Sequence, residues 1–263
     1  EMQGRSRITF YLEAGDEGFA KLGEVRIALE ELKKTRDDCG TLLMTLDDLE
    51  DADWENNWKQ YYKPMEIGER LLVIPEWEQE NVKGQAKYAG KVPLILEPGL
   101  TFGTGSHATT RLCLTALEEA VHGGETVLDL GCGSGILSIA ALRLGAESAI
   151  GIDIDPKAED IARENAAYNG FAAPAFTALT GNVTEDTALM DTLAANRYDL
   201  VLVNIVADVI IGLAPVLPHF LNESSTLICS GILDTRLSDV LDALTAAGLT
   251  VTATKAKDDW RCV

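Results

Sequence analysis

Long apolar runs are missing from this sequence, and so is any excess of positive charge. The most apolar region, residues 198–221, is broken by Asp199, Asn204, Asp208, Pro215 and Pro218, so it reads as a buried strand and helix and not as a membrane span. No leader-like segment is visible, and the chain begins at Glu1 without an initiator methionine, which leaves room for residues before it. The five cysteines, at 39, 113, 132, 229 and 262, show no paired spacing, and an odd number argues against a disulfide framework. The three histidines are scattered, so no zinc site is expected. A reducing, cytoplasmic setting fits this usage. Lys and Arg number 22 against 42 Asp and Glu, a net charge of −20. Residues 1–60 contribute −7 and the remainder −13, so the acidity is spread over the whole chain. Such a surface disfavours nucleic acid and steers basic partners toward it, although solubility alone also accounts for it.

Glycine is where the sequence becomes specific. Thr126–Leu130 is short, apolar and β-prone, and it runs into Gly131, Gly133 and Gly135, after which Ile136–Leu144 carries apolar residues at helical spacing. Glycines at such a turn let the backbone approach a ligand, and the amides of the following helix point at it. A second strand, Ala149–Ile152, ends in Asp153, where a carboxylate can accept both hydroxyls of a ribose. This is a nucleoside-binding half-site. The dinucleotide pattern G-x-G-x-x-G would need glycine where Ile136 stands, which disfavours a nicotinamide enzyme. The observed G-x-G-x-G, preceded by Asp129, resembles the first motif of S-adenosylmethionine-dependent methyltransferases.

At 263 residues with 46% hydrophobic content, the chain can bury one large domain and a small one. Residues 1–50 read as a small α+β module: a strand at Arg7–Glu13, an amphipathic helix at Gly18–Lys34 with Leu22, Val25, Ile27, Leu29 and Leu32 on its apolar side, and a strand at Thr41–Leu46. Residues 51–65 read as a linker rich in acidic and aromatic side chains, with Trp54 and Trp58 on one helix face. Residues 66–263 read as a doubly wound, Rossmann-like α/β domain. Its strands are expected at Arg70–Pro75, Val92–Leu96, Thr126–Leu130, Ala149–Ile152, Thr177–Leu179, Tyr198–Val203 and Thr226–Ser230, with a closing hairpin strand at Leu249–Thr254. Helices are expected at Thr110–Val121, Ile136–Leu144, Pro156–Asn169, Leu213–Leu221 and Leu237–Ala247. Asn204 would stand at the carboxyl end of its strand, in the crevice where open α/β sheets bind ligands, and Asn182 where such a fold holds an adenine edge. Thr109 and Thr110 suit a carboxylate at a helix start, or simple capping.

Glu97–Thr110, Asp129–Gly135, Gly151–Pro156 and Asn204–Ala207, in this order, resemble the bacterial ribosomal protein L-eleven methyltransferase family. Asp53-Trp54-Glu55, Lys63-Pro64 and Ser230–Leu233 match the same pattern, so the resemblance runs over residues 46–263 and leaves the amino-terminal module the weakest match. It implies transfer of methyl groups from S-adenosylmethionine to lysine and N-terminal amines of a basic ribosomal protein. Carried over by position, Thr110, Gly131, Asp153 and Asn204 fall where the family binds the cofactor, and Phe102 and His107 in its active-site loop; Asp129, Gly133 and Gly135, from the glycine motif, and Asn182, from its place in the fold, are expected to bind the cofactor as well. Glu97 in place of Asp, and Asn204-Ile205-Val206 in place of Asn-Ile-Leu, are mild departures. A monomer without nucleic-acid contacts is expected. The competing readings are a methyltransferase of the same fold acting on a small molecule or another protein, and a non-catalytic cofactor-binding module.

Overall fold

The structure, a computed structural model, describes residues 16–35, 42–44, 59, 62–98 and 105–263. The chain divides into two compact units, Glu1–Asn56 and Asn57–Val263. In the first, helix α1 spans Asp16–Thr35 and ends on Lys33 and Lys34, cations that suit the negative end of the helix dipole. Leu22, Val25, Leu29 and Leu32 recur three and four apart and are half-buried, whereas Ile27 lies off that stripe and is 64% exposed, contrary to its expected place. Of the strand expected at 41–46, residues 42–44 are irregular, and Leu42 has φ 43, outside the range of a strand. The strand expected at Arg7–Glu13 and the segment around Trp54 and Trp58 lie outside the described residues.

The second unit begins with a small sheet. Strands β1 (Met65–Ile67), β2 (Leu71–Pro75) and β3 (Val92–Leu96) pair antiparallel and then parallel, with a helical turn, α2 (Gln79–Val82), between β2 and β3. Side chains from the helices beside it pin this sheet. Glu118 accepts the N–H groups of Glu69, Arg70 and Leu71, each at 2.8 Å. Asn169 both accepts from Ile95 N (2.9 Å) and donates to Ile95 O (2.7 Å).

Seven strands form the main sheet: β4 (Thr126–Leu130), β5 (Ser148–Asp153), β6 (Phe176–Thr180), β7 (Tyr198–Asn204), β8 (Leu221–Leu233), β9 (Lys255–Lys257) and β10 (Trp260–Cys262). Their order is β6-β5-β4-β7-β8-β10-β9, parallel from β6 to β8, with β10 antiparallel to both its neighbours. Helices α3 (Ala108–Ala120), α4 (Ile136–Leu144), α5 (Pro156–Tyr168), α6 (Thr187–Ala194), α7 (Ala207–Leu213) and α8 (Leu237–Ala246) complete it. One apolar cluster joins Leu112, Leu114 and Leu117 of α3 and Ile136 and Ile139 of α4 to Val127, Leu200 and Leu202. The other joins Ile210 and Leu213 of α7 and Val240 and Leu244 of α8 to Leu128, Leu130, Val201 and Val203. Alternate residues of β4 and β7 thus feed opposite cores, so these strands are apolar almost throughout, as a sheet covered on both faces requires. This is the doubly wound, Rossmann-like class expected from the sequence.

Strand β1 is not among the expected strands, β8 is longer than the expected Thr226–Ser230, and two helices and the closing hairpin also differ from expectation. The helix expected at Leu213–Leu221 is instead α7, ending at Leu213, followed by a 3-10 turn at Leu217–His219. Pro215 and Pro218 lack the N–H groups a continuous helix needs. The closing hairpin is β9–β10, turning at Asp258 (φ 52), and not Leu249–Thr254, whose residues 250–254 are exposed. The last residues reach the sheet because Cys229 and Val263 exchange both backbone bonds, at 2.8 and 2.9 Å. Helix α6 has no counterpart in the sequence reading, although Asp186 caps it by accepting from Leu189 N (2.9 Å) and Leu189, Met190 and Leu193 give its apolar side.

Candidate active site at the carboxyl ends of the central strands

The chain leaves β4 toward β5 and β6 on one side and returns to β7 on the other. The gap between the ends of β4 and β7 is therefore a topological switch point, the place where open α/β sheets bind ligands. Three segments meet there: the glycine turn after β4, Asp153 at the end of β5, and Asn204 at the end of β7.

Gly131, Gly133 and Gly135 all have left-handed backbone, with φ 78, 52 and 76. The turn is stitched to β5 by Gly131 N and Cys132 N, which both donate to Ile152 O at 2.8 and 3.0 Å. Gly133 N donates to Asp153 Oδ2 at 2.9 Å, and Asp155 N to Oδ1 at 3.0 Å. Each carboxylate oxygen has two lone pairs, so Asp153 is oriented by these bonds and keeps one acceptor site per oxygen for a pair of hydroxyls. Gly131 makes room for the Ile205 side chain, since a Cβ there would stand 2.6 Å from Ile205 Cγ2.

Asp129 lies inside the fold and is tied to the helix that follows the turn. It is 0% exposed and accepts from Ser138 N (3.2 Å) and Ser138 Oγ (2.8 Å), so it holds the start of α4. Its Oδ1 has no hydrogen-bond partner. Burial raises its pKa to about 7, against the two Ser138 bonds, and the Asp153 charge adds to the rise. Burial pushes the neighbouring Cys132 thiol well up as well, helped by both carboxylates, so this sulfur is no nucleophile.

Across the crevice, Asn204 Nδ2 lies 3.5 Å from Thr110 Oγ1, the outer limit of a hydrogen bond, while Asn204 Oδ1 is buried without a partner. Thr109 and Thr110 are 1% and 0% exposed in the first turn of α3. His107 is the cap of that helix: its Nδ1 accepts from Thr109 N at 3.3 Å and lies 2.8 Å from Thr109 Oγ1. Its ring meets Trp260 edge-on at 5.0 Å. Asn182 closes its own turn, with Oδ1 accepting from Thr184 N (3.1 Å) and Oγ1 (2.8 Å), beside Gly181, whose N–H donates to Asp153 O at 2.9 Å. Phe102 lies outside the described residues. The structure therefore brings Thr110, Gly131, Gly133, Asp153 and Asn204 around one crevice. Gly135 starts α4 behind them, Asp129 is beneath, and His107 and Asn182 stand at the sides.

One supporting residue escaped the sequence reading. Asn165, 1% exposed, accepts from Glu97 N and donates to Ser134 O, both at 2.9 Å, so it joins the segment entering α3 to the glycine turn. Its signal was a pair of amides, Asn165 and Asn169, one helical turn apart beside the buried Ala158, Ala162 and Ala166. Among the described residues no group of three or more His, Cys, Asp or Glu is arranged to hold a metal, and no helix is long and apolar enough to cross a membrane.

An oriented carboxylate for a diol, a glycine turn, a helix start and an unpartnered amide oxygen suit a nucleoside bearing an amino-acid tail. Site and strand order together define a Rossmann-like methyltransferase that uses S-adenosylmethionine. The sequence pattern of the ribosomal protein L11 methyltransferase family matches residues 8–263, and the chain belongs to that family. The match includes the amino-terminal unit, which sequence reasoning tied to the family least. The ribosomal protein L11 methyltransferase of Agathobacter rectalis is 40% identical over 262 residues, which cover 98% of this chain and 79% of that one. That of Lachnospira eligens is 38% identical, over 91% and 74%. A crystal structure of ribosomal protein L11 methylase from Lactobacillus delbrueckii subsp. bulgaricus superposes with a TM-score of 0.65 at 32% identity, covering 76% of this chain and 96% of that one.

Proposed function

We propose that this chain methylates amines, at lysine side chains and the N-terminus, of ribosomal protein L11, with S-adenosylmethionine as donor. The observation that carries the reading is the buried, unpartnered Asn204 Oδ1 at the switch point, across the glycine turn from Asp153. When bound, the cofactor supplies a methyl group on a cationic sulfur. Asp153 would take the ribose hydroxyls, the glycine turn and the start of α4 would lie along the nucleoside, and Thr110 and Asn204 would line the reacting end. Displacement at the methyl carbon needs a neutral amine aligned with the carbon–sulfur bond, so positioning contributes most of the rate. A lysine near its reference pKa of about 10.4 is largely protonated at neutral pH. The apolar side chain of Ile205, and of Phe102 by its place in the family pattern, disfavours the charged form by desolvation. Asn204 Oδ1 would accept an N–H of the neutral amine and so orient its nitrogen, the proton that the amine sheds beforehand passing to water.

The net charge of −20 supports a basic protein substrate through long-range attraction. The reading takes residues 1–50 as the substrate-holding module and residues 66–263 as the catalytic domain, working as a monomer in the cytoplasm without nucleic-acid contacts. Competition between acceptors tests it: labelled methyl transfer is expected to purified ribosomal protein L11, and not to free lysine, another basic protein or ribosomal RNA. Preferential transfer to one of those three would replace the acceptor and keep the chemistry.

A further inference from the structure

The carboxyl end of β8 carries an irregularity next to the candidate site. Arg261 pairs with Ile232 and Cys262 with Ser230, so Gly231 has no partner on β10 and forms a bulge. Its φ is 89, a left-handed conformation inside a strand. Bulges of this kind bend a strand and re-aim what lies beside them. What lies beside this one is the peptide directly after Asn204. A Cβ on Gly231 would stand 2.1 Å from Ile205 O, 2.6 Å from its carbonyl carbon and 3.0 Å from its N. Ile205 N in turn donates to Ser230 O at 3.1 Å. The Ile205 side chain stands over Gly131, where an added Cβ would be 2.6 Å away. Ile205 is thus held from two directions: its backbone on the Gly231 bulge, its side chain on the glycine turn.

We infer that Gly231 is a positioning residue for methyl transfer, seating the Ile205 peptide so that the Asn204 amide faces the reacting centre. The inference rests on the role proposed for Asn204 and adds to it the element that fixes its geometry. Ordinary contact begins near 3.4 Å, so alanine at 231 would displace the Ile205 peptide by about 1.3 Å. The obstacle is backbone, which trimming a side chain cannot relieve. Asp153 and the Gly133 amide are held by other bonds and stay in place.

The test compares Gly231→Ala, Gly231→Asn and Gly248→Ala with the wild type, in methyl transfer to ribosomal protein L11 and in titration with S-adenosylmethionine. Gly248 also has a left-handed backbone (φ 83), but a Cβ there meets nothing within 4 Å, so its variant carries the strain alone. Asparagine tolerates the left-handed region better than alanine, so Gly231→Asn lessens the strain and keeps the obstruction. Both Gly231 variants should lose about 10- to 100-fold in kcat, the range a misplacement near 1 Å produces, with cofactor Kd and protein KM within about fivefold of wild type. Gly248→Ala should keep wild-type kcat. Unchanged kcat in Gly231→Ala would overturn the inference. So would recovery in Gly231→Asn, which would reduce the effect to strain. Unfolding of both Gly231 variants while Gly248→Ala stays folded would also overturn it, since the bulge would then serve the sheet alone. Absence of transfer by the wild type would instead remove the functional reading, and the inference with it.

Discussion

Asp129 is a buried acid with an unpartnered oxygen, and replacing it with asparagine should change how stability depends on pH. Its carboxyl is 0% exposed, one oxygen has no partner, and burial raises its pKa from 3.8 to about 7. A raised folded-state pKa means the folded protein holds this proton more tightly than the unfolded chain does. The stabilising contribution is therefore complete below the unfolded value and is lost as pH rises through the folded one. Three units at 1.36 kcal/mol each make the full effect about 4 kcal/mol, of which roughly 2.7 kcal/mol falls between pH 5 and pH 8. An amide at this position stays neutral, and its carbonyl oxygen still accepts from Ser138. Any fixed penalty, such as an unpaired amide N–H, is the same at every pH and cancels from the trend. Unfolding free energies of Asp129→Asn and wild type, from urea titrations at pH 5, 6, 7 and 8, should therefore diverge in favour of the variant by about 2 to 3 kcal/mol over that range. A difference constant to within about 0.5 kcal/mol would refute the reasoning, because Asp129 would then ionise alike in folded and unfolded chains.

Three further outcomes follow from the same geometry. Glu118→Ala strips three backbone N–H groups of their acceptor and should destabilise the fold by roughly 2 to 3 kcal/mol, read as a lowered Tm; an unchanged Tm would detach the small sheet from α3 in this account. Asp153→Ala removes the proposed acceptor of the two ribose hydroxyls and should weaken S-adenosylmethionine binding by about 100-fold, roughly 2.7 kcal/mol, in calorimetric titration. Asn204→Ala should lower turnover at saturating cofactor; full turnover with unchanged cofactor affinity would contradict the orienting role.

The central βαβ unit was legible because its signals are local. The apolar run of Thr126–Leu130, the glycine turn and Asp153 lie within 28 residues, and each is dictated by its own backbone. The crevice was legible for the same reason: strand ends carry their residues with them. What the sequence hid depends on partners far along the chain. Asp129 stands in the glycine motif, but that its Oδ2 holds Ser138 in the first turn of α4 is not visible in the motif itself. Gly231 looks like an ordinary strand glycine until the register of β10 and the Ile205 peptide are known. Asn165 bridges Glu97 and Ser134, 68 and 31 residues away, and its local pattern of paired amides does not reveal those partners. The helix misplaced at Leu213–Leu221 is a different case, since Pro215 and Pro218 already argued against it.

The most direct measurement is the intact mass of purified ribosomal protein L11 after incubation with this chain and S-adenosylmethionine, with Asp153→Ala as control. Gains in whole methyl steps on lysines or the N-terminal amine, abolished in the control, are the expected result. An unchanged mass, although the chain binds S-adenosylmethionine in a parallel titration, would contradict the proposed acceptor; an unchanged mass without binding would contradict the account at its centre.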